Sequence, residues 1–189
     1  ICVGGMVLRG DPWGGISATQ GSEVNTLWGE DVISIMKKNN SSEKAIKKVI
    51  HNDPKKNFRQ ISAIDLQGKS YCFNGKSNEG FIDFFVDKNL VISGNTLSNN
   101  NVIKSMYQDF NRETNSIGQR LINALKGGNK VGGDKRGLMS AAILIVSKRH
   151  PPIDLRIDLS KFPLKDLEVL YKEFSKKKYF NWFINLPKR

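Results

Sequence analysis

The sequence predicts an α+β fold in one domain, with antiparallel sheet covered by helices, and three observations carry that prediction. Hydrophobic spacing alternates along the chain between the period of a helix and that of a strand. It does so in clusters: a strand, two helices, three strands, two helices, two strands and a last helix. Clustered elements belong to α+β layers rather than to a strictly alternating parallel sheet. The chain has 189 residues, 39% hydrophobic and 25% charged, enough for one sizeable core. No internal repeat and no Pro/Gly/Ser-rich linker divides it.

The elements follow in order. The opening fifteen residues are glycine-rich and end in Asp11-Pro12-Trp13-Gly14-Gly15, a turn signal ahead of the small-residue strand Ile16-Ser17-Ala18-Thr19-Gln20. Leu27, Val32, Ile35 and Met36 recur at near-helical spacing, and Asn39-Asn40 closes that helix. Ser41-Ser42 supplies capping hydroxyls for a second helix, whose inner face is Ala45, Ile46, Val49 and Ile50. Asp53-Pro54 ends it. From Phe58 the period changes: Arg59–Leu66 and Lys69–Phe73 are strands joined by Gln67-Gly68, and Leu90–Ser93 is another, stopped by Gly94-Asn95. Two helices come next, Asn101–Phe110 and one carrying Ile117, Leu121, Ile122 and Leu125 that stops at Gly127-Gly128. Strands Met139–Ser147 and Ile153–Leu159 precede a helix that starts at Pro163 with Leu164, Leu167, Leu170, Tyr171 and Phe174 inward. The aromatic tail Tyr179-Phe180-Asn181-Trp182-Phe183 is expected to dock on the core or on another subunit.

Lys and Arg number 30 against 18 Asp and Glu, a net charge of +12. The lysines are spread over several helix faces, and no helix-turn-helix, zinc-finger or RNA-recognition pattern accompanies them, so no specific nucleic-acid partner is expected. No apolar run approaches the roughly 20 residues of a membrane helix, and no secretory leader is visible; the expected compartment is the cytoplasm. Cys2 and Cys72 are expected to be reduced thiols. With His51 and His150 they make no metal-ligand spacing, so no metal is expected. Gly15-Ile16-Ser17-Ala18-Thr19 fails as a nucleophile elbow, having Thr where the second Gly belongs.

The most informative stretch runs from Gly132 to Asp158. Gly132 to Gly137 is a glycine-bracketed charged turn without the Gly-Lys-Ser/Thr ending of a phosphate loop. Its amides, with Lys135 and Arg136, can still form an anion-holding concavity or simply turn a helix into a strand. Asp154, Arg156 and Asp158 alternate with Leu155 and Ile157, so the three charges share one strand face, either a solvated surface or a charged pocket floor.

Taken in order, Cys2-Val3-Gly4-Gly5, Ser17-Ala18-Thr19-Gln20, Gly94-Asn95, Gly133-Asp134-Lys135-Arg136-Gly137 with Ser140-Ala141-Ala142, and Asp154-Leu155-Arg156-Ile157-Asp158 resemble the family called domain of unknown function 1028, over nearly the whole chain. The resemblance implies the four-layer αββα sandwich of N-terminal nucleophile hydrolases. In that chemistry a terminal Thr, Ser or Cys attacks an amide, its own α-amine serves as base, and no cofactor is needed. It also implies a homo-oligomer acting on a small-molecule amide.

Relatives carry a hairpin of about 20 residues ahead of the Cys2-Val3-Gly4 segment. Here it is missing, so the sequence reads as N-terminally truncated and the nucleophile stays unassigned. Cys2 is a catalytic candidate that would need Ile1 removed to free its amine, and a packed thiol is the competing reading. The resemblance makes Thr19, Asp134 and Arg136 catalytic candidates. Gln20, Asn95, Gly133, Ser140, Asp154, Arg156 and Asp158 become substrate-binding candidates, with Asn95 placed to donate to an oxyanion. The alternatives are a structural ion-pair network at the charged residues, and a non-catalytic binding or assembly protein of the same fold that recognises a small anionic metabolite.

Overall fold

A computed structural model describes residues 3–112 and 116–187. After a short helical turn, α1 (Val3–Met6), four antiparallel strands pair in chain order: β1 (Leu8–Asp11), β2 (Gly15–Gly21), β3 (Arg59–Ile64) and β4 (Ser70–Asn74). The register sets Ser17 opposite Ala63, Thr19 opposite Ile61, and Tyr71 opposite Ala63, so these residues share one face. That face is covered by α2 (Leu27–Met36) and α3 (Ser42–His51). Trp28, Val32, Ile33, Met36, Ala45 and Ile46 pack there on Ile61 and Ala63 as one core. The start of α3 is doubly held: Ser41 Oγ accepts from Lys44 N at 3.4 Å, and Ser42 Oγ donates to the Lys69 carbonyl at 2.8 Å. Asn39, at φ 59°, turns the chain between the two helices.

The remaining strands form two antiparallel pairs, β5 (Phe81–Asp87) with β6 (Leu90–Leu97) and β7 (Ala141–Ile145) with β8 (Ile153–Ile157). An isolated bridge between Leu97 and Asp134 ties the segment ahead of β7 to the end of β6. Outside these pairs lie α4 (Asn101–Asn111), α5 (Ile117–Lys130), α6 (Pro163–Phe174) and α7 (Lys177–Ile184). Ile92 and Leu97 of β6 pack on Val102 and Ile103 of α4. Ile143 and Leu155 pack with Ile122, Leu164, Leu167, Phe174 and Phe183 in the largest core. On their other side the pairs meet the four-stranded sheet: a Cβ on Gly10 would stand 2.9 Å from Val146 Cγ1 and 3.4 Å from Leu144 Cδ2.

This is the mixed α+β class read from the sequence, with seven helices among the described residues. The differences are local. α1, β1, β5 and α7 were not foreseen, and strands β7 and β8 are shorter at both or one end than their apolar runs. The helix expected to stop at Gly127-Gly128 continues to Lys130, because those glycines let α4 approach. A Cβ on Gly127 would stand 2.6 Å from Asp109 Oδ2, and one on Gly128 would stand 2.7 Å from Met106 Cγ. The residues that turn the chain out of α5 are Gly132 and Gly133, at φ 122° and 53°, with Gly133 N bonded back to Gly128 O at 3.0 Å.

Candidate functional site

The face of the four-stranded sheet turned away from α2 and α3 is unusually polar. Pairing sets Gln20 opposite Gln60, Ala18 opposite Ser62, Ser62 opposite Cys72, and Gln60 opposite Asn74, all on that face. It meets β6 through hydrogen bonds rather than apolar packing. Gln20 Nε2 donates to the Ser93 carbonyl at 3.2 Å, Gln60 Nε2 to the Gly94 carbonyl at 3.1 Å, and Ser93 Oγ to Ser62 Oγ at 3.3 Å. Gln60 Nε2 also donates to Asn74 Oδ1. Gln60 is fully buried, yet its Oε1 has no partner among the described residues. A buried acceptor left unpaired costs about 1–3 kcal/mol, which a donor from a ligand or a water would recover.

Cys72 lies within this seam, its thiol 3.6 Å from Asn74 Oδ1. Burial pushes the thiol up to about 12, and a hydrogen bond with Ser93 offsets only part of that. At pH 8 the thiolate fraction is then about one in ten thousand. Iodoacetamide labelling of Cys72 at pH 8, followed by peptide mass spectrometry, is expected to be negligible in the folded protein and rapid in denaturant. Fast labelling without denaturant would show the Cys72 thiol to be less buried and more acidic than its surroundings imply.

The seam continues into a strained junction. Thr96 is 3% exposed and adopts φ 57°, a left-handed conformation that a β-branched residue rarely takes. Asn95 Nδ2 donates to Thr96 Oγ1 at 3.1 Å, and the Thr96 carbonyl accepts from Lys135 N at 3.0 Å. Ser98 N donates to the Gly133 carbonyl at 2.9 Å, so the glycine turn is stitched along the end of β6. Asp134 then grips Arg136, accepting from Nε at 3.0 Å, Nη2 at 2.6 Å and the backbone N–H at 2.9 Å. Burial alone would raise the Asp134 carboxyl; the Arg136 hydrogen bonds and charge outweigh it and hold the carboxyl below the usual range.

The structure therefore gathers Gln20, Asn95, Gly133, Asp134 and Arg136 around β6 and the segment bridged to it. Ser140 is buried at the entrance to β7. Thr19 is not part of this group. One residue from Gln20, it points to the opposite side of β2, 1% exposed beneath the helices with its hydroxyl unpaired among the described residues.

Asp154 and Arg156 are exposed and alternate with buried Ile153 and Leu155, which favours the surface reading over a pocket floor. Arg156 donates to both carboxylate oxygens of Asp158, at 3.0 and 3.2 Å. Its side chain is a platform for α1: a Cβ on Gly4 would stand 2.7 Å from Arg156 Cγ, and one on Gly5 would stand 2.7 Å from Nη2. Cys2 lies outside the described residues.

The sequence reading did not single out Gln60, Ser62, Asn74 and Ser93, which line the seam. Their signal was present, since polar residues at alternate positions of β3 and β4 mark one face. That pattern ordinarily means solvent, and here it faces a second strand layer. His150 sits apart, with Nδ1 2.7 Å from the Pro151 carbonyl and its ring 5.7 Å from Phe183. Among the described residues no group of three or more His, Cys, Asp or Glu could hold a metal ion. No described helix is long and apolar enough to cross a membrane.

Fold and seam together define an α+β protein with a buried, amide-rich contact between strand layers. The model of a family of unknown function, DUF1028, matches residues 1–167, and the chain belongs to that family. Among solved structures it is similar to the crystal structure of protein SPO2555 from Silicibacter pomeroyi, also assigned to DUF1028. The TM-score is 0.93 at 34% identity, covering 100% of this chain and 85% of the other. No curated protein matches the chain.

Proposed function

We propose that this protein is an amidohydrolase of the N-terminal nucleophile type, cleaving a small amide or peptide-like C–N bond at the seam between its strand layers. The layering supports this reading: α2 and α3, the four-stranded sheet, the two strand pairs, then α4 to α6, an αββα order. The observation that carries it is the seam itself. Side-chain amides and hydroxyls of Gln20, Gln60, Ser62 and Ser93 converge there, and the buried Gln60 carbonyl oxygen has no donor among the described residues. Asn95 spends one N–H on Thr96, and the second is available for an oxyanion.

The thiol of Cys72 and the hydroxyl of Thr19 are poor nucleophiles, the first held protonated and the second turned beneath the helices. Following what the family resemblance implies, we place the chemistry on a terminal Thr, Ser or Cys of the mature protein, whose free amine takes the proton as its side chain attacks the carbonyl. Anion binding at the glycine turn is the weaker reading, because Asp134 already neutralises Arg136.

The test begins with N-terminal sequencing of the protein produced from its native reading frame, followed by a panel of small amides read by mass spectrometry. Turnover that falls about 100- to 1,000-fold in Asn95→Ala, with the melting temperature nearly unchanged, is the expected result. A free terminal Thr, Ser or Cys with no amide turned over would overturn the assignment.

A further inference from the structure

A recess lies between β8, α6 and α7, far along the chain from the seam. Its volume is about 660 Å³, within the roughly 300–1,000 Å³ typical of small-molecule sites. Leu155, Leu170 and Phe174 form the floor, and Tyr179 and Trp182 form a wall. The Tyr179 ring lies 5.7 Å from Phe174 and 5.4 Å from Trp182. Phe183, on the same helix, is buried in the core, so α7 is anchored on one side. Tyr179 and Trp182 nevertheless remain 49% and 57% exposed, and exposed aromatic surface of this kind marks a contact site.

Charge identifies the occupant. Lys176 and Lys178 border the recess with Glu173. Glu173 is consumed by Lys176 at 2.6 Å, while Lys178 makes no ion pair among the described residues. An apolar hollow with an unneutralised ammonium at its edge suits a ligand with one apolar chain and one anionic head. A second copy of this chain suits it poorly. A two-fold pairing of this face would bring Lys176, Lys177 and Lys178 against themselves.

We propose that the recess between β8, α6 and α7 binds a free fatty acid, its chain against Leu155, Phe174 and Trp182 and its carboxylate at Lys178. This site lies outside the proposed amide-cleaving seam, and neither reading depends on the other.

The experiment is calorimetric titration of the whole protein with dodecanoate and with dodecyltrimethylammonium, each below its micelle concentration. Saturable 1:1 binding of dodecanoate, at least tenfold tighter than the cationic analogue, is expected. Trp182→Ala should weaken it at least tenfold and Lys178→Glu at least fivefold; both side chains are exposed, so folding, checked by circular dichroism, should be retained. Several results would each overturn the proposal: no saturation, equal affinity for the cation, no loss in either variant, binding only to phosphatidylglycerol vesicles, or a dimer that Trp182→Ala dissociates.

Discussion

Gln60→Ala is expected to lower the melting temperature by about 6–12 °C, from a loss of about 3 kcal/mol at roughly 2–4 °C per kcal/mol for a chain of this size. The reasoning starts from burial, since Gln60 has no exposed surface. Its removal strips the Gly94 carbonyl and Asn74 Oδ1 of a donor and opens a cavity between β3 and β6. Part of the cost is returned, because Gln60 Oε1 is itself unpaired. Gln60→Leu keeps most of the volume but not the donor, and should fall between wild type and alanine. Thermal unfolding followed by circular dichroism measures both. A shift below 2 °C for the alanine variant would show that β6 is held to the sheet by something other than this amide.

Leu167→Ala should cost about 2–5 kcal/mol, and it tests the other half of the molecule. Leu167 is fully buried in α6 among Ile122, Ile143, Leu164 and Phe174. Its neighbours come from several different elements, so they cannot all close on a shrunken side chain, and a cavity persists. Chemical denaturation reads the loss directly. Because Gln60 lies in the polar seam and Leu167 in the core of α5, α6 and the β7–β8 pair, with no shared partner, the double variant should lose the sum to within about 0.5 kcal/mol. A clear shortfall would mean that the two strand layers unfold as separate units.

Much of this architecture was legible from spacing and caps. The Ser41 cap and the Ala45, Ile46, Val49, Ile50 stripe place α3, and Gln67-Gly68 places the turn between β3 and β4. β5 was missed for a physical reason. A register shift between Phe81 and Asp83 breaks its alternation, and Phe81, Phe84 and Val86 are exposed, so apolar residues fall on both faces. β1 is four residues long with a glycine inside, too short and too weak to carry a periodic signal. At the site, Gln20, Asn95 and the Gly133–Arg136 turn were found through family resemblance, and Gln60 was not. A buried glutamine whose partners lie 14 and 34 residues away leaves no local trace in sequence. Thr19 and Gln20 came from the same stretch of family resemblance, and strand alternation turns the two to opposite faces of β2.

The polar inner face also bears on how the chain finds its fold. β3 carries Ile61 and Ala63 on one side and Gln60 and Ser62 on the other. A one-residue slip of β3 would send the glutamine and serine beneath α2 and α3 and the apolar pair into the seam. A sheet greasy on both sides would tolerate that error cheaply; this one penalises it on both faces at once. The Asp65 carboxylate, which accepts from the Gln67 and Lys69 amides at 3.0 Å each and from Ser42 N at 3.1 Å, holds the turn that fixes the correct alignment. The seam thus acts as a check on strand pairing, set by the chain's own side chains.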